Sequence, residues 1–338
     1  MIQHLCFLLV AVSVALGADA TAKPPPKSSA PPKPPPLVSI DPAQTDDDFP
    51  VQGEFVGKMR ESDLAIQVVA WGKGLFDAVM CPGGLPGAGW TRQPPARQRV
   101  SGRRESVSGA VRFSANGWTA SLKGDEIQLQ DFKGSAIGKL ARIRRASPTL
   151  GAAPPAEAVV LFDGKNTDAF KPGARMTADG LLMEGATTKK AFGDCTLHVE
   201  FMLSYMPDAR GQGRSNSGVY LQSRYEVQVL DSFGLSGENN ECGGIYTIAK
   251  PEVNMCLPPL TWQTYDIDFQ APTFDAAGNR TTEARITVKH NGVLIHDEVK
   301  IPHPTAAAPL TQEGEKGPLY LQNHGNPVRY RNLWLLRK

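Results

Sequence analysis

The chain has 338 residues, with 41% hydrophobic and 21% charged residues and a formal net charge of +2. That length exceeds one ordinary domain, and the composition is that of a globular protein. A charge so near balance gives no reason to expect a nucleic acid partner or an anionic membrane surface.

In chain order, Leu5–Gly17 is a short apolar run followed by Ala18-Asp19-Ala20, a small-x-small pattern. Residues 1–20 therefore read as a signal peptide. The run is too short to span a bilayer comfortably, and nothing downstream is long and apolar enough to cross one. The expectation is export, with the mature chain periplasmic or extracellular and without a membrane span. Cys6 lies too early for a lipid attachment site. Residues 21–44 form a linker whose core, Thr21–Pro36, is rich in Pro, Lys and Ser. Proline fixes φ and lacks an amide hydrogen, so such a stretch stays extended and solvated.

Over residues 45–147, short strand-like segments alternate with glycine turns. The clearest strands are Ala65–Ala70, Gly109–Phe113, Trp118–Leu122 and Glu126–Gln130, with turns at Asn116-Gly117 and Lys123-Gly124-Asp125. These predict a small antiparallel β domain, a sheet or barrel, of unassigned role. The glycine loop Cys81–Trp90 lacks the Gly-Lys-Ser/Thr ending of a phosphate loop and no helix pattern follows it. Arg92, Arg97, Arg99, Arg103 and Arg104 then read as a solvated basic loop. Residues 148–157, rich in Pro, Gly and Ala, are the linker to the next domain.

Residues 158–338 carry a strong period of two. Leu197, Val199, Phe201 and Leu203 alternate with Thr196, His198, Glu200 and Met202. Tyr225, Val227 and Val229 alternate with Glu226 and Gln228, and Tyr265, Ile267 and Phe269 with Thr264, Asp266 and Asp268. His290-Asn291-Gly292-Val293 is a hairpin signal. Many antiparallel strands, each with one polar face, predict an all-β chain whose C-terminal part is a two-sheet sandwich. Beyond Cys6 there are four cysteines, Cys81, Cys195, Cys242 and Cys256. They permit three disulfide connectivities; Cys242–Cys256 brackets one loop and is the preferred pair, with buried free thiols as the alternative. No Cys-x-x-Cys occurs and the histidines are scattered, so no zinc site is expected.

Several segments of this second domain resemble the 3-keto-disaccharide hydrolase family. They are Leu161–Lys165 (LFDGK), Asn216–Tyr220 (NSGVY), Tyr225–Asp231 (YEVQVLD), Cys242–Tyr246 (CGGIY), Trp262–Asp266 (WQTYD), Leu319–Gly325 (LYLQNHG) and Val328–Trp334 (VRYRNLW). Each is weak alone, but they occur in the family's order over about 180 residues, a single-domain length. The resemblance implies a concanavalin A-like jelly roll acting on glycosides oxidised at C3. Residues 45–147 lie outside it and are similar to extensions beside this domain in exported planctomycete-type proteins.

Side chains two apart on a strand share a face, roughly 6.5–7 Å apart. Glu226 and Gln228 therefore project together with Asp231 at the strand end, and Tyr220, Gln222 and Arg224 keep the same parity unless a turn near Ser223 breaks it. Such a mixture suits sugar hydroxyls and C–H faces. Glu241 and Tyr246 flank the Cys242–Gly244 loop, and His324 is a candidate proton carrier. With a ketone at C3, a base can remove the C2 proton and expel the C1 substituent, after which water adds. Glu226 or His324 is the candidate base, with Arg224, Tyr246 or Gln228 as stabilisers; Tyr220, Gln222, Asp231 and Glu241 are candidate substrate contacts. A divalent metal could also stabilise the enolate, although the spacing identifies no ligands. Standard retaining hydrolysis fits less well, because Glu226-Val227-Gln228 has an amide where a second acid would help. A noncatalytic lectin-like domain and a wall-associated structural module are the competing functions.

Overall fold

The computed structural model describes residues 35–92 and 96–338. The expected signal peptide and most of the proline linker lie outside the described residues. Pro36–Lys338 form one compact unit, which contains a barrel and a sandwich.

The barrel is a meander of eight strands, Gly53–Met59, Ser62–Ala70, Leu75–Pro82, Gln98–Arg104, Val111–Ala115, Trp118–Lys123, Glu126–Asp131 and Ala136–Ile143. Each pairs antiparallel with the next, and the last closes on the first. Alternation explains the inward set: Trp118, Ala120 and Leu122 are buried, while Thr119 and Ser121 are part-exposed and Lys123 exposed. Eight strands enclose just enough room for side chains to fill, and Phe55, Ile66, Val68, Phe113, Ile127 and Leu140 fill it. Closure also needs glycine: a β-carbon on Gly57 would strike the backbone at Lys139, and one on Gly138 the backbone at Lys58. Of the arginines read as a loop, Arg99, Arg103 and Arg104 lie on the Gln98–Arg104 strand. Pairing with Leu75–Pro82 orders that part, while Arg92 and Arg97, outside the strand, donate to the Pro251 and Leu235 carbonyls, so the cluster is not a solvated loop.

The second part is the all-β jelly-roll sandwich. One sheet runs in the order Val159–Phe162, Arg329–Arg337, Cys195–Met202, Trp262–Gln270, Ala284–His290, Val293–Ile301, with Leu182–Met183 on the Arg329–Arg337 strand. The other runs Ala186–Phe192, Gly317–Leu321, Ser217–Leu221, Tyr225–Val229. Their inward faces share one core that includes Leu197, Val199, Phe201, Val219, Val227 and Ile267.

Residues 147–152, at and within the expected linker, are docked rather than solvated. Thr149 Oγ1 donates to Asp266 Oδ2 at 2.7 Å, and Gly151 N donates to Glu200 Oε1 at 2.6 Å. The Ala152 carbonyl accepts from Asn332 Nδ2 and Trp334 Nε1. Under this strap, buried His198 bonds Asp266 through Nδ1 at 2.6 Å and stacks on Trp334. Arg331 Nε donates to Glu200 Oε2 at 2.6 Å. The strap adds further partners for buried polar side chains of these strands, as buried polar groups require.

Candidate functional site

The four-stranded sheet ends at Tyr225–Val229, whose free edge is covered by the following loop. Gln228 N donates to the Gly244 carbonyl and Gly243 N to the Gln228 carbonyl, both at 2.9 Å, and Tyr246 N donates to the Glu226 carbonyl at 3.1 Å. An edge left open would be a pairing hazard. Here the Cys242–Tyr246 segment closes it and brings Tyr246 to the polar face.

On that face the strand register sets a row. Glu226 stands opposite Tyr220, and Tyr220 opposite Tyr320. Tyr220 Oη donates to Glu226 Oε2 at 2.7 Å, and Gln322 Nε2 donates to Tyr220 Oη at 3.3 Å. A β-carbon on Gly218 would collide with the Glu226 carboxyl, so this glycine makes the room the acid occupies. Glu226 is 2% exposed. Burial pushes its carboxyl up to about 8, against a smaller downward pull from the Tyr220 hydroxyl. Burial, then the Glu226 charge, also raises the Tyr220 phenol.

An amide cluster continues the face. Gln228 Nε2 donates to Gln212 Oε1 at 3.0 Å, Asn216 Nδ2 to the same oxygen at 3.1 Å, and Gln212 Nε2 to the Asn240 carbonyl at 2.7 Å. Among the described residues, Asn216 Oδ1 and Gln322 Oε1 are buried without a hydrogen-bond partner. Tyr246, Tyr320, Gln212 and Gln322 are part-exposed and form the rim of the face. A protonatable carboxyl, phenols and free amide acceptors are the groups that proton transfer on a hydroxylated ligand requires.

Of the residues singled out from sequence, the structure brings together Glu226, Tyr220, Gln228 and Tyr246. The others have different surroundings. Gln222 and Ser223 both have positive φ, 54° and 55°, so the turn breaks the parity. Gln222 Nε2 donates to the Glu315 carbonyl at 2.8 Å, and Arg224 Nε to the Gln312 carbonyl at 2.5 Å. Both tie down the 312–316 segment. Asp231 forms a buried ion pair with Arg214 at 2.7 Å. Glu241 accepts from Gly237 N and Glu238 N, capping its own turn. His324 is exposed in the turn after the Gly317–Leu321 strand and makes no hydrogen bond among the described residues.

The preferred Cys242–Cys256 disulfide is not formed, and the alternative holds: among the described residues Cys81, Cys195, Cys242 and Cys256 are buried free thiols. The Cys242 and Cys256 thiols are neighbours that interact with each other; Cys242 also meets Tyr265 Oη at 3.1 Å and Cys256 the Leu257 carbonyl at 3.5 Å. Sequence reading missed Gln212, Asn216 and Tyr320. Asn216 and Tyr320 did lie in family-like segments, and Tyr320 also had outward parity in Leu319–Gln322, whereas Gln212 carried no signal. Among the described residues, no group of three or more His, Cys, Asp or Glu side chains converges as a metal site.

A family model for the 3-keto-alpha-glucoside-1,2-lyase-like domain matches residues 157–336. A crystal structure from Parabacteroides distasonis, described as a candidate glycosyl hydrolase, is 32% identical, covering 54% of this chain and 85% of that one with a TM-score of 0.50. A second from the same organism, described likewise, is 16% identical, covering 53% and 92% with a TM-score of 0.40. No curated protein matches the chain. Through residues 157–336, which include the Glu226 face, the chain belongs to the 3-keto-alpha-glucoside-1,2-lyase-like domain family.

Proposed function

We propose that this protein is an exported enzyme that cleaves the glycosidic bond of 3-keto-glycosides, with Glu226 as the base. The single observation that carries the reading is a buried carboxyl held near neutral titration beside a phenol. A base whose pKa lies near the working pH combines proton affinity with the right charge state. The family description, a 1,2-lyase, supports bond-making between C1 and C2.

The C3 ketone acidifies the C2 proton. Glu226 takes that proton, and the electron pair passes to the C3 oxygen as an enolate, stabilised by Tyr246 or Gln228. Collapse of the enolate forms the C1–C2 double bond and breaks the C1–O bond; the departing oxygen takes up a proton. Water then adds, its oxygen to C1 and a proton to C2, so the net change is hydrolysis. Tyr220 orients the Glu226 carboxyl through their hydrogen bond.

Incubation with 3-keto-trehalose or a 3-keto-glucoside should release keto-glucose, and Glu226→Gln should abolish the release. Binding without turnover would replace this reading with a lectin-like one. Neither binding nor turnover would leave a structural module.

A further inference from the structure

The matched family span leaves the barrel out, yet the barrel wall is fastened to the two loops that carry the amide cluster. At the centre is Asp77, buried on the Leu75–Pro82 strand. Its Oδ2 accepts from Trp71 Nε1 at 2.8 Å and from Arg99 Nη1 at 2.9 Å, and its Oδ1 from Ser101 Oγ at 2.8 Å. Two of these partners, Arg99 and Trp71, reach across to the sandwich. Arg99 Nη2 donates to the Gly234 carbonyl at 2.7 Å, and neighbouring Arg97 to the Leu235 carbonyl at 2.8 Å. The Trp71 ring lies beside the guanidinium groups of Arg210 and Arg214, at 4.3 and 4.6 Å.

These contacts lead to the site in two steps. Arg210 Nη2 donates to the Trp71 carbonyl and Arg214 Nη2 to the Ala70 carbonyl, while Arg214 Nε grips Asp231. Gln212 and Asn216 flank Arg214 in sequence, and Gln212 joins Asn216, Gln228 and Asn240. Gly234 sits so close to the barrel that a β-carbon there would strike Val69. Loops 206–216 and 231–240 are thus braced from outside by one buried carboxylate and the groups it orients.

We propose that the barrel acts as a positioning domain for the substrate loops, with Asp77 as the positioning residue that sets Trp71 and Arg99 against them. This rests on the Glu226 face being the site. Groups that orient a ligand must themselves be locked by a supporting shell. A loop freed from its support loses ligand affinity before it loses chemistry.

The test uses the full chain carrying Asp77→Asn, with Arg99→Ala as the milder variant and Leu129→Ala, inside the barrel, as the control. In both seam variants, amide hydrogen exchange should quicken in residues 206–216 and 231–240 while the Ala284–His290 strand stays as in wild type. KM for a 3-keto-glucoside should rise by roughly 3- to 30-fold with a smaller change in kcat. Leu129→Ala should lower thermal stability without either effect. Unchanged loop exchange in both seam variants, or the same loop loosening in Leu129→Ala, overturns the proposal. If the wild type turns over no 3-keto-glycoside, the functional reading falls, and the exchange measurement still decides the positioning role.

Discussion

Tyr220 and Glu226 face each other across two antiparallel strands, and the Tyr220 hydroxyl donates to the Glu226 carboxyl over 2.7 Å. Nothing else in the cluster neutralises the acid, so its burial is only partly offset. The first prediction concerns that imbalance. Glu226 is raised in the folded state to about 8, so the folded chain keeps a proton that the unfolded chain gives up above roughly pH 4.5. Stability should therefore fall as pH climbs from that value to about 8 and level off above it. Glu226→Gln, a neutral isostere, should remove this fall and stabilise the protein at pH 9, on the order of a few kcal/mol. Denaturant melts at pH 5 and pH 9 check it; the same pH response in both proteins would refute a buried, raised carboxyl.

Tyr220→Phe removes the one interaction that lowers the Glu226 pKa. The alkaline rise in kcat/KM, expected near pH 8 in wild type, should move to higher pH. Turnover at neutral pH should fall on the order of 100-fold, the cost of losing one preorganised donor. A pH–rate profile of the variant measures both.

Arg224 and Gln228 were indistinguishable as sugar contacts by sequence, but the structure separates them. Arg224→Ala leaves the Gln312 and Lys316 carbonyls without their donor. It should cost about 1–3 kcal/mol of stability and leave KM unaltered. Gln228→Ala takes away the buried partner of Gln212 Oε1 and Val229 N, so it should cost a similar amount of stability and, unlike Arg224→Ala, also raise KM. Melting curves and steady-state kinetics on both variants provide the comparison.

The strap over His198 predicts a second pH dependence. Burial by itself would lower the His198 pKa, but hydrogen bonds to Asp266 and Glu200 and their charges prevail and raise it to about 9. This stabilisation is fully present below about pH 6.5 and is lost as pH rises through the folded-state value. Burial would raise Glu200, but its bonds to His198, Asn332, Gly151 and Arg331 hold it down to about 2. Its contribution is present above about pH 4.5 and disappears as pH falls through about 2. His198→Gln should cost about 3–5 kcal/mol near pH 6 and flatten the fall between pH 6.5 and 9. Unfolding followed by near-ultraviolet circular dichroism reports it through Trp334, which stacks on the ring.

By itself, the sequence determined the strands with clear alternation and which of their faces are apolar, because alternation is local, but not the Gln98–Arg104 strand. Ala120 and Leu122, or Val227 and Val229, point inward at every register that keeps their parity. It also placed Glu226 and Gln228 on one polar face, and the ordered segments from Leu161 to Trp334 carried the family. It could not pair strands that are far apart in the chain. His198 meets Asp266 only because their strands align in one register, and Tyr320 joins Tyr220 only through the sheet order. The sequence raised a turn near Ser223 without deciding it; the two positive φ values at Gln222 and Ser223 remove Gln222 and Arg224 from the face. The same holds for burial: identical carboxyls end as a turn cap at Glu241 and an ion-pair partner at Asp231. Glu226 ends as a raised acid. Desolvation depends on everything packed around a group, and only the tertiary structure decides that.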